Sequence, residues 1–109
     1  ELPACVLEMT ALVELRADKN GLAAIPPAIA ALANLRELHL RDNQLAELPS
    51  SMGELGELRV LDLRGNPLHS LPASLAGLPH LFKLDLRWTP PLDVPVIGEL
   101  ERRGCLVYR

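Results

Sequence analysis

Three arginines, Arg41, Arg64 and Arg87, follow one another at a constant interval of 23 residues. A guanidinium is a planar fork of N–H donors that meets a carboxylate with two parallel hydrogen bonds. Three forks at one interval therefore form an array for gripping acidic groups. Two readings of the array stand side by side. In one, the forks face outward and take carboxylates from a partner. In the other, Asp62 and Asp85 already pair with them across strands, as exposed charges commonly do at small individual gain. The two are compatible, because a partner can compete for the same guanidinium. Trp88 follows the last arginine directly, and an exposed tryptophan on a binding face is a candidate anchor. Its alternative is to pack on Pro90 and Pro91. His39 and Glu37 complete the group: His39 reads as a solvated polar residue, and Glu37, Asp62 and Asp85 would tune the charge presented to a partner.

Other chemistry finds no support in the residues. His39, His69 and His80 share no spacing suited to ligating a metal. There is no phosphate-binding glycine loop, no G-x-S-x-G elbow and no carboxylate pair with a base beside it. The expectation is no catalytic residue, no cofactor and no metal, in a protein that is not an enzyme.

What holds the arginines in phase is a leucine framework of the same period. Leu12, Leu35, Leu58 and Leu81 keep the 23-residue step, as do Leu15, Leu38, Leu61 and Leu84, then Ala17, Leu40, Leu63 and Leu86. Asn20, Asn43 and Asn66 follow in register, then Leu22, Leu45 and Leu68, then Pro26, Pro49 and Pro72. Self-similarity at this period means a solenoid, in which no repeat buries its own apolar face and neighbours must stack.

One repeat, Leu35 to Glu57, shows how. Leu38 and Leu40 alternate with Glu37, His39 and Arg41, the pattern of a strand with one buried face. Asn43 turns the chain, and its amide can both donate to and accept from backbone groups. Stacked asparagines should therefore form a buried ladder over Asn20, Asn43 and Asn66. Pro49 suits the entry to a short helical segment, where Met52 and Leu55 face inward. Each strand is followed by a return arm of similar length, so the strands run parallel, and the stack curves with the sheet on its inner face.

Outward positions then line up in columns. The first holds Glu14, Glu37, Val60 and Lys83; the second Arg16, His39, Asp62 and Asp85; the third Asp18, Arg41, Arg64 and Arg87. Five of these twelve are acidic and five basic, so the sheet face is near neutral and the net charge of −3 resides elsewhere. A nucleic-acid binder would carry a basic excess, which is missing. No apolar run approaches the roughly 20 residues needed to cross a bilayer, and no secretory leader is visible. Cys5 and Cys105 fall at opposite ends of the stack, roughly 20 Å apart at strand spacing and beyond disulfide reach. Two unpaired thiols favour a reducing, cytoplasmic setting.

The unit L-x-x-L-x-L-x-x-N-x-L-x-x-L-P resembles the leucine-rich repeat, and its 23-residue length with an L-P pair resembles the plant intracellular Ras-group and Scribble-like subclass, found also in bacterial proteins. The resemblance spans almost the whole chain. It implies an α/β solenoid with a curved parallel sheet on the concave face and short helices or 3-10 turns on the convex face, and a scaffold or signal-transduction module that grips a protein partner.

The ends depart from the pattern. Thr89 replaces the ladder asparagine, and Pro90-Pro91-Leu92-Asp93-Val94-Pro95 breaks the register. Asp93 reads as an N-cap of a helix over Val96 to Arg103, ended by Gly104, with a fifth strand from Cys105 to Tyr108; the whole reads as a cap. At the start, Leu2, Pro3, Val6 and Met9 align with Leu48, Pro49, Met52 and Leu55. Residues 1–11 are either a cap solvated by Glu1 and Glu8 or the remnant of a longer array, and the missing Met at position 1 fits a processed or excised piece. In the second case the strand near Leu12 to Ala17 is an open edge, a route to self-association. The division expected is one domain, 1–109: the half-repeat 1–11, repeats 12–34, 35–57 and 58–80, and a last repeat with its cap over 81–109. Its expected function is protein binding through the concave sheet. The rivals are a targeting piece of a larger kinase, GTPase or ubiquitin ligase, and a structural repeat protein with no partner.

Overall fold

The computed structural model describes residues 2–92 and 94–109, so the roles expected for Glu1 and Asp93 lie outside the described residues. Five short strands, β1 (Glu14–Arg16), β2 (Glu37–His39), β3 (Val60–Asp62), β4 (Lys83–Asp85) and β5 (Leu106–Tyr108), form one parallel sheet in sequence order. The register follows the repeat: Glu14 lies beside Glu37, then Val60, Lys83 and Leu106. The strands line the concave face.

The return arms are single 3-10 turns on the convex face, Ala4–Glu8, Pro27–Ala31, Ser50–Glu54 and Ala73–Gly77. Pro3, Pro26, Pro49 and Pro72 each stand at the entry, in extended backbone with φ between −61° and −71°. Their fixed φ sets the turn, and their missing N–H would have no partner there. Only five residues separate Pro26, Pro49 and Pro72 from Leu32, Leu55 and Leu78, the inward leucines that close their arms, too few for a cooperative α-helix. Among the described residues one α-helix, α1 (Pro95–Arg102), follows the last turn and buries Val96, Ile97 and Leu100. It starts and ends one residue before the expected span, and Gly104 supplies the left-handed turn after it at φ +92°.

The core is a column of aliphatic side chains. Leu35, Leu38, Leu40, Leu45, Met52 and Leu55 are fully buried in one repeat, and Leu58, Leu61, Leu63, Leu68, Leu75 and Leu78 in the next. The asparagine ladder crosses it. The Asn43 side chain accepts from the Asn20 and Leu22 amides and donates to the Ala17 and Leu40 carbonyls. Asn66 repeats this one stage up, accepting from Leu45 N–H and donating to Leu40 and Leu63.

Two expectations need correction. Asn20 is exposed, and its side chain donates only to the Asp18 carbonyl. The ladder works by reaching back to the preceding stage, and among the described residues Asn20 has no strand before it to reach. Met9, expected inward, is exposed for the same reason, along with Val13. Thr89 keeps only the bond within its own stage, its hydroxyl donating to the Leu86 carbonyl, and among the described residues it reaches no group of the preceding stage, so the ladder ends at Asn66. Cys5 is exposed and Cys105 buried, and both are free. Burial pushes the Cys105 thiol up, against the pull of Arg103, which makes it a poor nucleophile.

Candidate interaction surface

The turn that leaves each strand positions the third and fourth columns. Lys19, Asp42, Gly65 and Trp88 occupy one repeat position, and all four have left-handed backbone, with φ of 57°, 56°, 71° and 61°. The fold demands this geometry, because the amide there donates to the next stage: Lys19 to Arg41, Asp42 to Arg64, Gly65 to Arg87. Only Gly65 adopts it without strain, and a Cβ at Gly65 would run into the Asp42 carboxylate. For a tryptophan the conformation is rare. It aims the Trp88 ring away from the core, and the residue is 70% exposed. The ring also borders a cavity with Pro90 and Pro91.

The arginine column divides in two. Arg64 grips Asp62 in a two-pronged fork, Nε to Oδ1 at 2.9 Å and Nη2 to Oδ2 at 2.7 Å. Arg87 grips Asp85 the same way at 3.0 and 2.7 Å. Each aspartate also accepts the backbone N–H of its arginine. These pairs lie two residues apart within one repeat, where cross-strand pairing was expected; the cross-strand contact, Arg64 to Asp85, is longer at 3.4 Å. A short aspartate at the strand end and an arginine just past it suit a fork closed over the intervening residue. Arg41 lacks this fork because His39 stands where Asp62 and Asp85 stand. Its guanidinium lies 3.5 Å from Asp42, and its Nε is buried without a hydrogen bond.

Asp62 and Asp85 are 5% and 2% exposed beneath their arginines. Burial works to raise the Asp62 pKa. The Arg64 hydrogen bonds and charge, with His39 behind them, outweigh it and hold the carboxyl below its ordinary value of 3.8. Hydrogen bonding to Asp62 and Asp85 in turn raises the pKa of Arg64 and Arg87. A carboxyl whose folded pKa is depressed contributes stability that is complete above its unfolded pKa and lost as pH falls through the folded one. Asp62→Asn should therefore cost about 1–3 kcal/mol at neutral pH, toward the low end because Arg64 keeps some solvent. The gap to wild type should close below pH 3.8. Urea titrations of both proteins at a series of pH values check this, and a gap that persists in acid refutes it.

Above the buried acids, cations and aromatic rings alternate. Lys83 Nζ lies 5.4 Å from the Tyr108 ring, Arg87 5.6 Å from the same ring and 5.9 Å from Trp88, and Arg64 6.0 Å from Trp88. Each is within cation–π reach. Exposed Phe82 and Leu106 flank the row, with Val60 half-buried beside them. Tyr108 and Leu106 were missed in the sequence, although both stand 23 residues after Asp85 and Lys83 and so extend the second and first columns.

The opposite end of the face is acidic and polar. His39 is not a solvated residue: its side chain is 14% exposed, held 3.0 Å from Glu37, with Asp62 3.9 Å away on its other nitrogen. Glu14, Glu37 and His39 bring ligand atoms within 4.8 Å of one another across two strands, a gathering that histidine spacing alone does not reveal. Arg16 pairs with Glu14, and the His39 ring lies within hydrogen-bond distance of Glu37, so both carboxylates have partners within the face.

The family model described as leucine rich repeat matches residues 10–68 and 33–90. None of the curated proteins matches the chain. Solved structures do. A leucine-rich repeat protein of Leptospira interrogans is 32% identical with a TM-score of 0.83, over 91% of this chain and 26% of that one. The plant peptide hormone receptor RGFR1, solved in complex with RGF2, is 31% identical with a TM-score of 0.79, over 99% and 18%. Internalin C2 of Listeria monocytogenes is 30% identical with a TM-score of 0.76, over 98% and 44%. This chain thus spans less than half the length of each. Among the described residues no helix is long and apolar enough to cross a membrane. Strand register, asparagine ladder and family match agree: the chain belongs to the leucine-rich repeat family.

Proposed function

We propose that the chain is a protein-binding module that docks its partner on the concave sheet, through Arg41, Arg64, Arg87, Trp88 and His39, with Glu37, Asp62 and Asp85 fixing or tuning their charge. The observation that carries this reading is the row of Lys83, Tyr108, Arg87, Trp88 and Arg64. Its guanidiniums are clamped from below by buried carboxylates, so they lose little freedom when a partner arrives. Arginine and aromatic side chains presented on a rigid face are the residue types that dominate binding energy at interfaces. The short span relative to the matched structures favours a second reading beside it, a targeting segment within a longer signalling or effector protein. Two free thiols support a reducing compartment such as the cytoplasm, and the chain's acidic balance argues against nucleic acid as the ligand.

Charge reversal of Arg64 is a poor test, because it would place a carboxylate against buried Asp62. Lys83→Glu changes the face without opening a buried pair. Captured partner should fall at least tenfold on immobilised Lys83→Glu and stay unchanged on Glu54→Lys, which alters an exposed residue of a convex turn. Quantitative mass spectrometry of the bound fraction gives the comparison, and equal loss on both variants, or on neither, defeats the concave assignment.

A further inference from the structure

We infer that the end of the concave face takes an acidic segment of the partner that carries one large apolar side chain, and that this side chain seats in the cavity between the last turn and helix α1. The inference rests on the concave-face reading above and names the partner's chemistry. The cavity measures about 300 Å³, and its walls include Trp88, Pro90, Pro91, Leu92 and Ile97, with Arg109 at its border. A second hollow beside α1 shares Leu92, Ile97 and Arg109 and is also lined by Arg102. Among the described residues no acid lines either one.

Charge decides what flanks the apolar anchor. Arg64, Arg87 and Lys83 stand on the sheet side of Trp88, and Arg109 and Arg102 on the helix side. The acids nearest the sheet-side cations, Asp62 and Asp85, are covered by their own arginines. Glu101 meets Arg109 at 3.1 Å, but both side chains are about half exposed, and such pairs exchange partners at little cost. An incoming segment therefore meets cations on both sides of an apolar opening. A basic segment would be repelled there and find its match instead at Glu14 and Glu37. The proline-rich walls are already rigid, so the cavity needs no ordering to receive a side chain.

Trp88 is the sole tryptophan of the chain, so its fluorescence reports on this site alone. The probe is a synthetic nonapeptide of glutamates around one central leucine, titrated against the protein at low salt. We expect saturable binding with a blue shift of the emission as water leaves the ring. Replacing the central leucine by serine should weaken binding at least tenfold, the scale of a buried aliphatic side chain. Replacing the glutamates by lysines should also weaken it at least tenfold, and Arg109→Gln should weaken the acidic peptide several-fold. No binding of the acidic leucine peptide at millimolar concentration, equal affinity for the leucine and serine peptides, or preference for the lysine peptide each overturns the inference. Binding of the lysine peptide with shifts confined to His39 and Glu37 resonances would do so while leaving the concave face as the docking surface. Capture of the partner unaffected by Lys83→Glu, with the acidic peptide still quenching or shifting Trp88, would instead remove the sheet reading and keep the cavity.

Discussion

Asn66→Ala should be among the most destabilising single changes available in this chain, costing about 3–5 kcal/mol. The estimate follows from what the truncation strands. Asn66 is 1% exposed; its carbonyl oxygen accepts the Leu45 N–H, and its amide donates to the Leu40 and Leu63 carbonyls. Alanine removes one acceptor and the donations to Leu40 and Leu63 at once, at a position shielded from bulk water. A buried backbone group without a partner costs about 1–3 kcal/mol. A domain of this length has a total stability of only about 5–15 kcal/mol, so the variant should sit close to unfolding. Because Leu40 and Leu45 belong to the preceding repeat, the damage spans two stages and should lower cooperativity as well. Asn20→Ala is the internal control: that side chain is exposed and donates only to Asp18, so its loss should stay below about 1 kcal/mol. Urea unfolding followed by circular dichroism measures both. Equal costs for the two variants would mean that the ladder does not hold the stack together.

That contrast marks how far the repeat is legible from residues alone. The period fixed which side chains share a column, because identical positions in stacked units must lie side by side. It placed Leu38 beside Leu61 and His39 beside Asp62, and both pairings appear in the sheet. What a period cannot convey is the difference between an interior stage and a terminal one. Asn20 and Asn43 are the same letter in the same phase, yet among the described residues only the second has a strand behind it. The candidate site was readable to a similar depth. The arginine column and Trp88 stand where the spacing put them. The direction of the forks was not readable, because whether Arg64 reaches sideways to Asp85 or back to Asp62 depends on side-chain geometry within about an ångström. Tyr108 was within reach: the break in register expected from Pro90 to Pro95 does not occur, since β5 pairs with β4 at the same 23-residue step, and only the change from strand-turn to helix disguises it.

Trp88→Gly should separate binding from folding. Trp88 adopts a left-handed conformation that costs an L-residue about 1–2 kcal/mol, and Gly65 shows that the same turn accepts glycine. Relief of that strain is offset by the loss of the ring contacts with Arg64 and Arg87, each about 0.5–1 kcal/mol at an exposed site. Glycine also gives the unfolded chain more freedom. These terms nearly cancel, so the stability of the variant should stay within about 1 kcal/mol of wild type. Binding has no such compensation. A ring that is mostly exposed in the free protein and walls a cavity beside three cations contributes its buried area only when a partner covers it. Removing such an anchor typically costs 2 kcal/mol or more, about thirtyfold in affinity. Trp88→Phe should retain most of the affinity, since a phenyl ring keeps an apolar face over the guanidiniums. Calorimetric titration of partner or acidic peptide, run beside thermal unfolding of the same samples, tests both halves. Undiminished affinity in Trp88→Gly would move the contact surface away from this end of the sheet, and a collapse in melting temperature would make the ring part of the core in spite of its exposure.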